Sequence, residues 1–215
     1  MRKFFFFFFV FFINTYCYAD AYNSVASVTL KNTEITKPIT KKQVEDVFSR
    51  NIGSADSFSF SQCTANFEVS FSGLGYESKF EVFQEINPQY DLSEFSEKIK
   101  TDVSNLKGKL WVSVRSAYFP HYPIRIDGEN ISSKMTFRQF TTRFPQSAAS
   151  EIQETKDKDD GIRKYAVLFG DVNDGNPTSE VQFIESGALP YTSFVEFLFK
   201  DGVINKVSIW QGVAC

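Results

Sequence analysis

The chain has 215 residues, 42% of them apolar and 23% charged, a balance that suits one or two globular domains and excludes a disordered or collagen-like polymer. Its 23 basic and 26 acidic side chains leave a net charge of −3 without any Lys/Arg cluster, so the electrostatic footprint of a nucleic-acid binder is missing from the sequence.

The N-terminus accounts for much of the phenylalanine. Arg2 and Lys3 precede an apolar run from Phe4 to Ile13, which gives way to the shorter, more polar stretch NTYCYADA. That order is the n-region, h-region and cleavage site of a secretory signal peptide. The run falls well short of the ~20 apolar residues that a membrane-crossing helix needs, so residues 1–19 are expected to be removed and to leave no stable membrane anchor. Cleavage after Ala19 or after Ala21 fits, and only the second gives the A-x-A pattern. Asn14, Thr15 and Tyr16 stand before Cys17 where a lipoprotein signal would carry Leu and small residues.

Beyond the signal, Val28 and Leu30 alternate as in a half-buried strand, and Thr40 stands as an N-cap before Val44, Val47 and Phe48 at helical spacing. Strands are predicted over 64–72 and 76–86, joined by SGLG, with Phe67, Val69 and Phe71 on one face. A helix is predicted from about Asp91 to Asn105, where Leu92, Phe95, Ile99 and Val103 repeat at three and four, and a strand over 110–116. Residues 27–48 then match residues 123–144 at a constant offset of 96, with Thr40 on Thr136, Gln43 on Gln139 and Phe48 on Phe144. In the second copy Ile124 and Ile126 alternate, Asp127-Gly128 is a hairpin turn, and Phe140 and Phe144 share a helix face. Further strands are expected over 164–170 and 180–185, followed by a hairpin of 194–200 with 203–211 across Asp201-Gly202. The expected fold class is α+β, with two tandem units, residues 20–122 and 123–215, each one or two helices packed on a mostly antiparallel sheet.

With Cys17 in the signal, Cys63 and Cys215 remain, and export to an oxidising compartment predicts one disulfide between them. Closing a loop of roughly 150 residues would stabilise the chain by about 5 kcal/mol in the chain-entropy treatment. No CxxC occurs, and His121, the sole histidine, is distant from both cysteines, which argues against thiol catalysis. The same shortage of His and Cys removes a zinc site. DVNDGN, Asp171 to Asn176, does not fit a calcium loop, because Asn176 and Gln182 occupy the sixth and twelfth positions where Gly and Glu are required. Glu129, Glu185 and Glu196 could in principle serve as paired carboxylates, but nothing in the pattern marks them as buried or paired. Phosphate-cradling glycine loops are absent, and Asn130-Ile131-Ser132 is a glycosylation acceptor in a glycosylating host. No cofactor is expected.

A signal peptide followed by two matching stretches, 27–48 and 123–144, and the terminal hairpin FVEFLFKDGVINKVSIW resemble exported tandem-repeat proteins of the beta-lactamase inhibitory protein type. The resemblance implies a concave sheet that binds another protein and transfers no individual binding residue. The expectation is thus a monomeric, non-enzymatic protein of the periplasm or the cell exterior that binds a protein partner, with inhibitor or immunity protein as specific forms. An envelope structural or assembly factor is the alternative. Aromatic and polar-tipped residues in excess of the strand pattern, namely Tyr118, Phe119, His121, Tyr122, Tyr191 and Trp210, are the candidate contacts.

Overall fold

The computed structural model describes residues 22–48, 57–60, 64–73, 76–85, 109–116, 123–152, 161–170 and 193–211. The expected signal, the helix over 91–105, the strand over 180–185, the DVNDGN loop, both cysteines and the linker residues 117–122 lie outside the described residues.

Strands dominate the described chain and helices are few, an α+β composition. In order these are β1 (Ser24–Val25), β2 (Val28–Leu30), β3 (Thr33–Glu34), β4 (Ile39–Thr40), α1 (Lys41–Phe48), β5 (Ser57–Phe60), β6 (Thr64–Gly73), β7 (Tyr76–Glu85) and β8 (Lys109–Ser116). There follow β9 (Ile124–Ile126), β10 (Glu129–Ile131), α2 (Phe137–Arg143), α3 (Pro145–Ala149), β11 (Glu151–Ile152), β12 (Ile162–Phe169), β13 (Ser193–Lys200) and β14 (Val203–Trp210). A large ten-stranded sheet runs β1-β12-β13-β14-β8-β7-β6-β5, with β11 also on β12 and β4 also on β8; a four-stranded sheet runs β10-β9-β2-β3. All these pairings are antiparallel except β1 with β12.

Local chemistry explains the punctuation. Asp127 (φ 49°) and Gly128 (φ 78°) turn β9 into β10, and Asp201 (φ 53°) and Gly202 (φ 76°) turn β13 into β14; consecutive positive φ values are what a two-residue hairpin turn needs. The helix starts share one device. Thr136 N–H donates to Gln139 Oε1 (2.8 Å) while Gln139 N–H donates to Thr136 Oγ1 (3.3 Å), a complete capping box; Thr40 and Gln43 repeat it at 2.9 and 3.3 Å.

Strands from the two halves of the chain interleave in both sheets. In the small sheet Val28 lies opposite Ile126, Thr29 opposite Arg125 and Leu30 opposite Ile124. In the large sheet β8 meets β14 with Val114 opposite Ile209. Outward from that seam the order is β7, β6, β5 on one side and β13, β12 with β11 and β1 on the other. The segments entering the helices also match: β4 lies beside the start of β8, and Thr136 bridges Val203 at the start of β14.

Alternation along the strands sorts the side chains. Leu110, Val112 and Val114, Tyr165, Val167 and Phe169, Val195, Phe197 and Phe199, and Val207 and Ile209 share one core with Val28, Leu30, Ile124 and Ile126 of the small sheet and with Val44 and Phe140 of the helices. Phe140 sits with ring centroids 5.0 Å from Phe197, 5.2 Å from Phe199 and 5.5 Å from Tyr165. Burying such a ring contributes roughly 2–3 kcal/mol. On the opposite face of the large sheet, Ala166, Leu168, Phe194, Trp210 and Ile152 form a second cluster with Tyr22 packed on it.

Four elements were not anticipated by the sequence: β1 and β11 are two residues long each, α3 is a five-residue turn begun by Pro145, and β5, in a stretch read as polar loop, carries its pattern on Phe58 and Phe60 alone. Elements this short owe their existence to a neighbouring strand or helix, not to their own periodicity. Because the side chains of both capping boxes are solvent-accessible and each closes two backbone donors, Thr136→Ala and Thr40→Ala should each cost about 1 kcal/mol, read as a lowered denaturant midpoint at unchanged slope.

Candidate functional site

Of the expected site residues, Trp210 alone is described. It lies on β14 directly opposite Phe194, with ring centroids 6.2 Å apart and 30° between planes, and is only 9% exposed. Most of its surface is packed against neighbouring side chains. Tyr118, Phe119, His121, Tyr122, Tyr191, Cys63 and Cys215 lie outside the described residues.

The same face of the large sheet holds a residue weighed from the sequence as a carboxylate but not read there as buried. Glu196, on β13, is 5% exposed, opposite Ser208 of β14 (0%) and Ala166 of β12. The signal was present: β13 reads Ser-Phe-Val-Glu-Phe-Leu-Phe-Lys, and a near-continuous apolar strand is buried on both faces, so its one acid had to be buried as well. Glu196, Ser208 and Trp210 are thus all buried on this face of β13 and β14.

A buried polar knot ties the layers together. Gln211 Nε2 donates to the carbonyl of Ile35 (2.5 Å), Ser193 Oγ donates to Gln211 Oε1 (3.3 Å), and the Gln211 N–H donates to Ser113 Oγ (2.9 Å). One side chain and its own amide thus link β8, β13 and the segment after β3. Gln211→Leu keeps the volume roughly but leaves the Ile35 carbonyl without this donor, and should cost about 1–3 kcal/mol in a denaturant unfolding experiment.

Among the described residues, the outer face of the small sheet is an exposed sheet surface. Register places Glu34, Thr29, Arg125 and Asn130 in one row across its four strands, and Arg125 Nε donates to Asn130 Oδ1 (3.1 Å). Beside it, Arg143 pairs with Glu129 (3.5 Å) and donates to the carbonyl of Ile126. Glu129, considered above as a catalytic carboxylate, is the exposed half of this ion pair, and at the surface such a pair contributes at most about 1 kcal/mol. The helices add Lys41 bridged to Glu45 (3.7 Å). Among the described residues Val203, 43% exposed, is the one large apolar side chain in solvent. The described surface here is therefore polar and mixed in charge.

Among the described residues Tyr165 is a group whose acidity the fold alters. Burial pushes its phenol above the ordinary value near 10, with a further push from the Glu151 carboxylate and opposition from Arg163. The unfolded chain gives up this proton first. Stability is therefore complete below pH ~10 and falls as the pH climbs through the raised value. A phenolate absorbance titration should show one late-ionising tyrosine that disappears in Tyr165→Phe, whose stability should fall less steeply above that pH.

Among the described residues no group of three His, Cys, Asp or Glu side chains could hold a metal ion, and no helix is long and apolar enough to cross a membrane. No protein-family model, curated protein or solved structure matches this chain.

Proposed function

We propose that this is an exported, non-enzymatic protein that binds a protein partner, as an inhibitor or immunity protein does, in the periplasm or outside the cell. The observation that carries the reading is the row Glu34, Thr29, Arg125 and Asn130: donors and acceptors held in register on a sheet whose other face is buried core. A surface of this kind is preorganised, so little ordering entropy opposes association.

The chain is read further as two tandem α+β units related by a pseudo-twofold axis. Supporting this, exchange of the two halves returns the same pairings: Val28 with Ile126 becomes Ile124 with Leu30, while Thr29 with Arg125 exchanges into itself. Lys31 N–H donates to the Pro123 carbonyl (2.8 Å) and Asp127 N–H to the Ser27 carbonyl (3.0 Å), again with an offset of 96. The ladders extend the match, with Glu81 opposite Ser113 and Glu196 opposite Ser208 at corresponding places beside the seam. The partner surface then lies on the axis and draws on both units. Cys63 and Cys215 form the disulfide of the mature chain in this reading, and residues 1–19 are its signal.

The test is capture from the host envelope and surroundings by the mature, oxidised protein, run beside Arg125→Ala and, as a surface control, Lys42→Ala. One stoichiometric protein partner, lost with Arg125→Ala and kept with Lys42→Ala, is the expected result. Capture indifferent to Arg125 overturns the surface, and a spread of envelope components in place of one partner turns the reading toward an assembly factor.

A further inference from the structure

We propose that the edge of β12 at Leu168 and Phe169 is an exchangeable strand seat, and that its occupant in trans is the Tyr22–Val25 arm of a second copy of this chain. The arm belongs by sequence to the first half, yet it pairs with the outer strand of the second half, in the sole parallel pairing described: Ser24 opposite Leu168, Val25 opposite Phe169. Its contacts are specific and few. Asn23 N–H donates to Ser147 Oγ (2.9 Å), Ser147 N–H returns to Asn23 Oδ1 (3.1 Å), and the Leu168 N–H donates to the Asn23 carbonyl (2.9 Å). Val25 is buried in the main core and Tyr22 is half-buried on the cluster of Leu168, Phe194 and Trp210. An edge held by two residue pairs opens at far lower cost than the whole fold.

Every one of these contacts is the same whether the arm comes from its own chain or from another. Only the hinge distinguishes the two arrangements, and it consists of Ala26 and Ser27, the two residues between β1 and β2. Both hinge N–H groups donate to Asp127 Oδ1, each at 2.9 Å. Asp127 therefore acts as a clasp that holds the arm against its own chain, and a hinge of only two residues is the kind of short connection whose opening favours exchange with an adjacent copy. Reciprocal exchange closes on itself as a twofold dimer, with no surface required beyond those already buried in the monomer.

The proposal is tested on the purified mature protein alone, so its outcome is independent of any partner. Light scattering after size-exclusion chromatography, on samples equilibrated over a concentration series, should show a dimer fraction that rises with concentration. Asp127→Ala removes two hydrogen bonds to a charged acceptor from the closed form alone and should raise the dimerisation constant on the order of tenfold. Asp127→Asn, which keeps an oxygen acceptor, should fall between the two and guards against a folding defect. Asn23→Ala weakens the seat equally in both arrangements and should leave the dimer-to-monomer ratio of docked chains unchanged, whereas a chain beginning at Ala26 should form no dimer. Dimers that persist in that shortened chain, or an Asp127→Ala protein that stays monomeric throughout the series, overturn the proposal.

Discussion

Backbone hydrogen bonding across the seam between β8 and β14 is the constraint on which the rest of this structure depends. A sheet that ended at either strand would expose a row of unpaired N–H and C=O groups, a costly and aggregation-prone edge. Meeting with Val114 opposite Ile209, each strand removes the other's edge and aligns the apolar face of one half with that of the other. The small sheet repeats the arrangement through β2 and β9. Two such junctions between the same two halves leave few degrees of freedom for their relative position. They account for a core that draws on Val44 and Phe140, from different halves, as parts of one cluster.

Interiors built this way must satisfy the polar groups that the pairing carries inside. Gln211 does so at one end of the seam, where its amide reaches the Ile35 carbonyl and its backbone reaches Ser113. Ser147 and Asn23 do so at the far edge, each acting as donor and acceptor to the other. Glu196 and Ser208 occupy the middle of a strand pair buried on both faces. Such groups add little net stability when paired and remove much when orphaned, so they favour one register over slipped alternatives more than they strengthen it.

The division between covered and open faces shapes the functional reading. One face of β8, β12, β13 and β14 turns into the main core, and the other is buried at β12, β13 and β14, where Trp210 packs on Phe194. Among the described residues the open surface includes the polar outer face of the small sheet, where Arg125 is held by Asn130, and the exposed turns of helix α1 and α2. The arm from Tyr22 to Val25 is a different kind of element, since it is an edge cover whose placement depends on a hinge and a clasp.

Much of the local structure was legible in the sequence because its causes are local. Alternation announced β2 and β9, apolar runs bounded by turns announced β12 and the terminal hairpin, Asp-Gly announced two turns, and Thr at the N-cap announced both helix starts. Residues 28–30, which the offset of 96 aligns with 124–126, lie opposite those residues in the small sheet. Tertiary structure alone decided the rest. Three short strands and a one-turn helix form only against neighbours that no window contains. The interleaving of the halves is a choice among edges that pattern leaves equal, and the inward packing of Trp210 followed from what covers its face, a long-range fact with no period in the sequence.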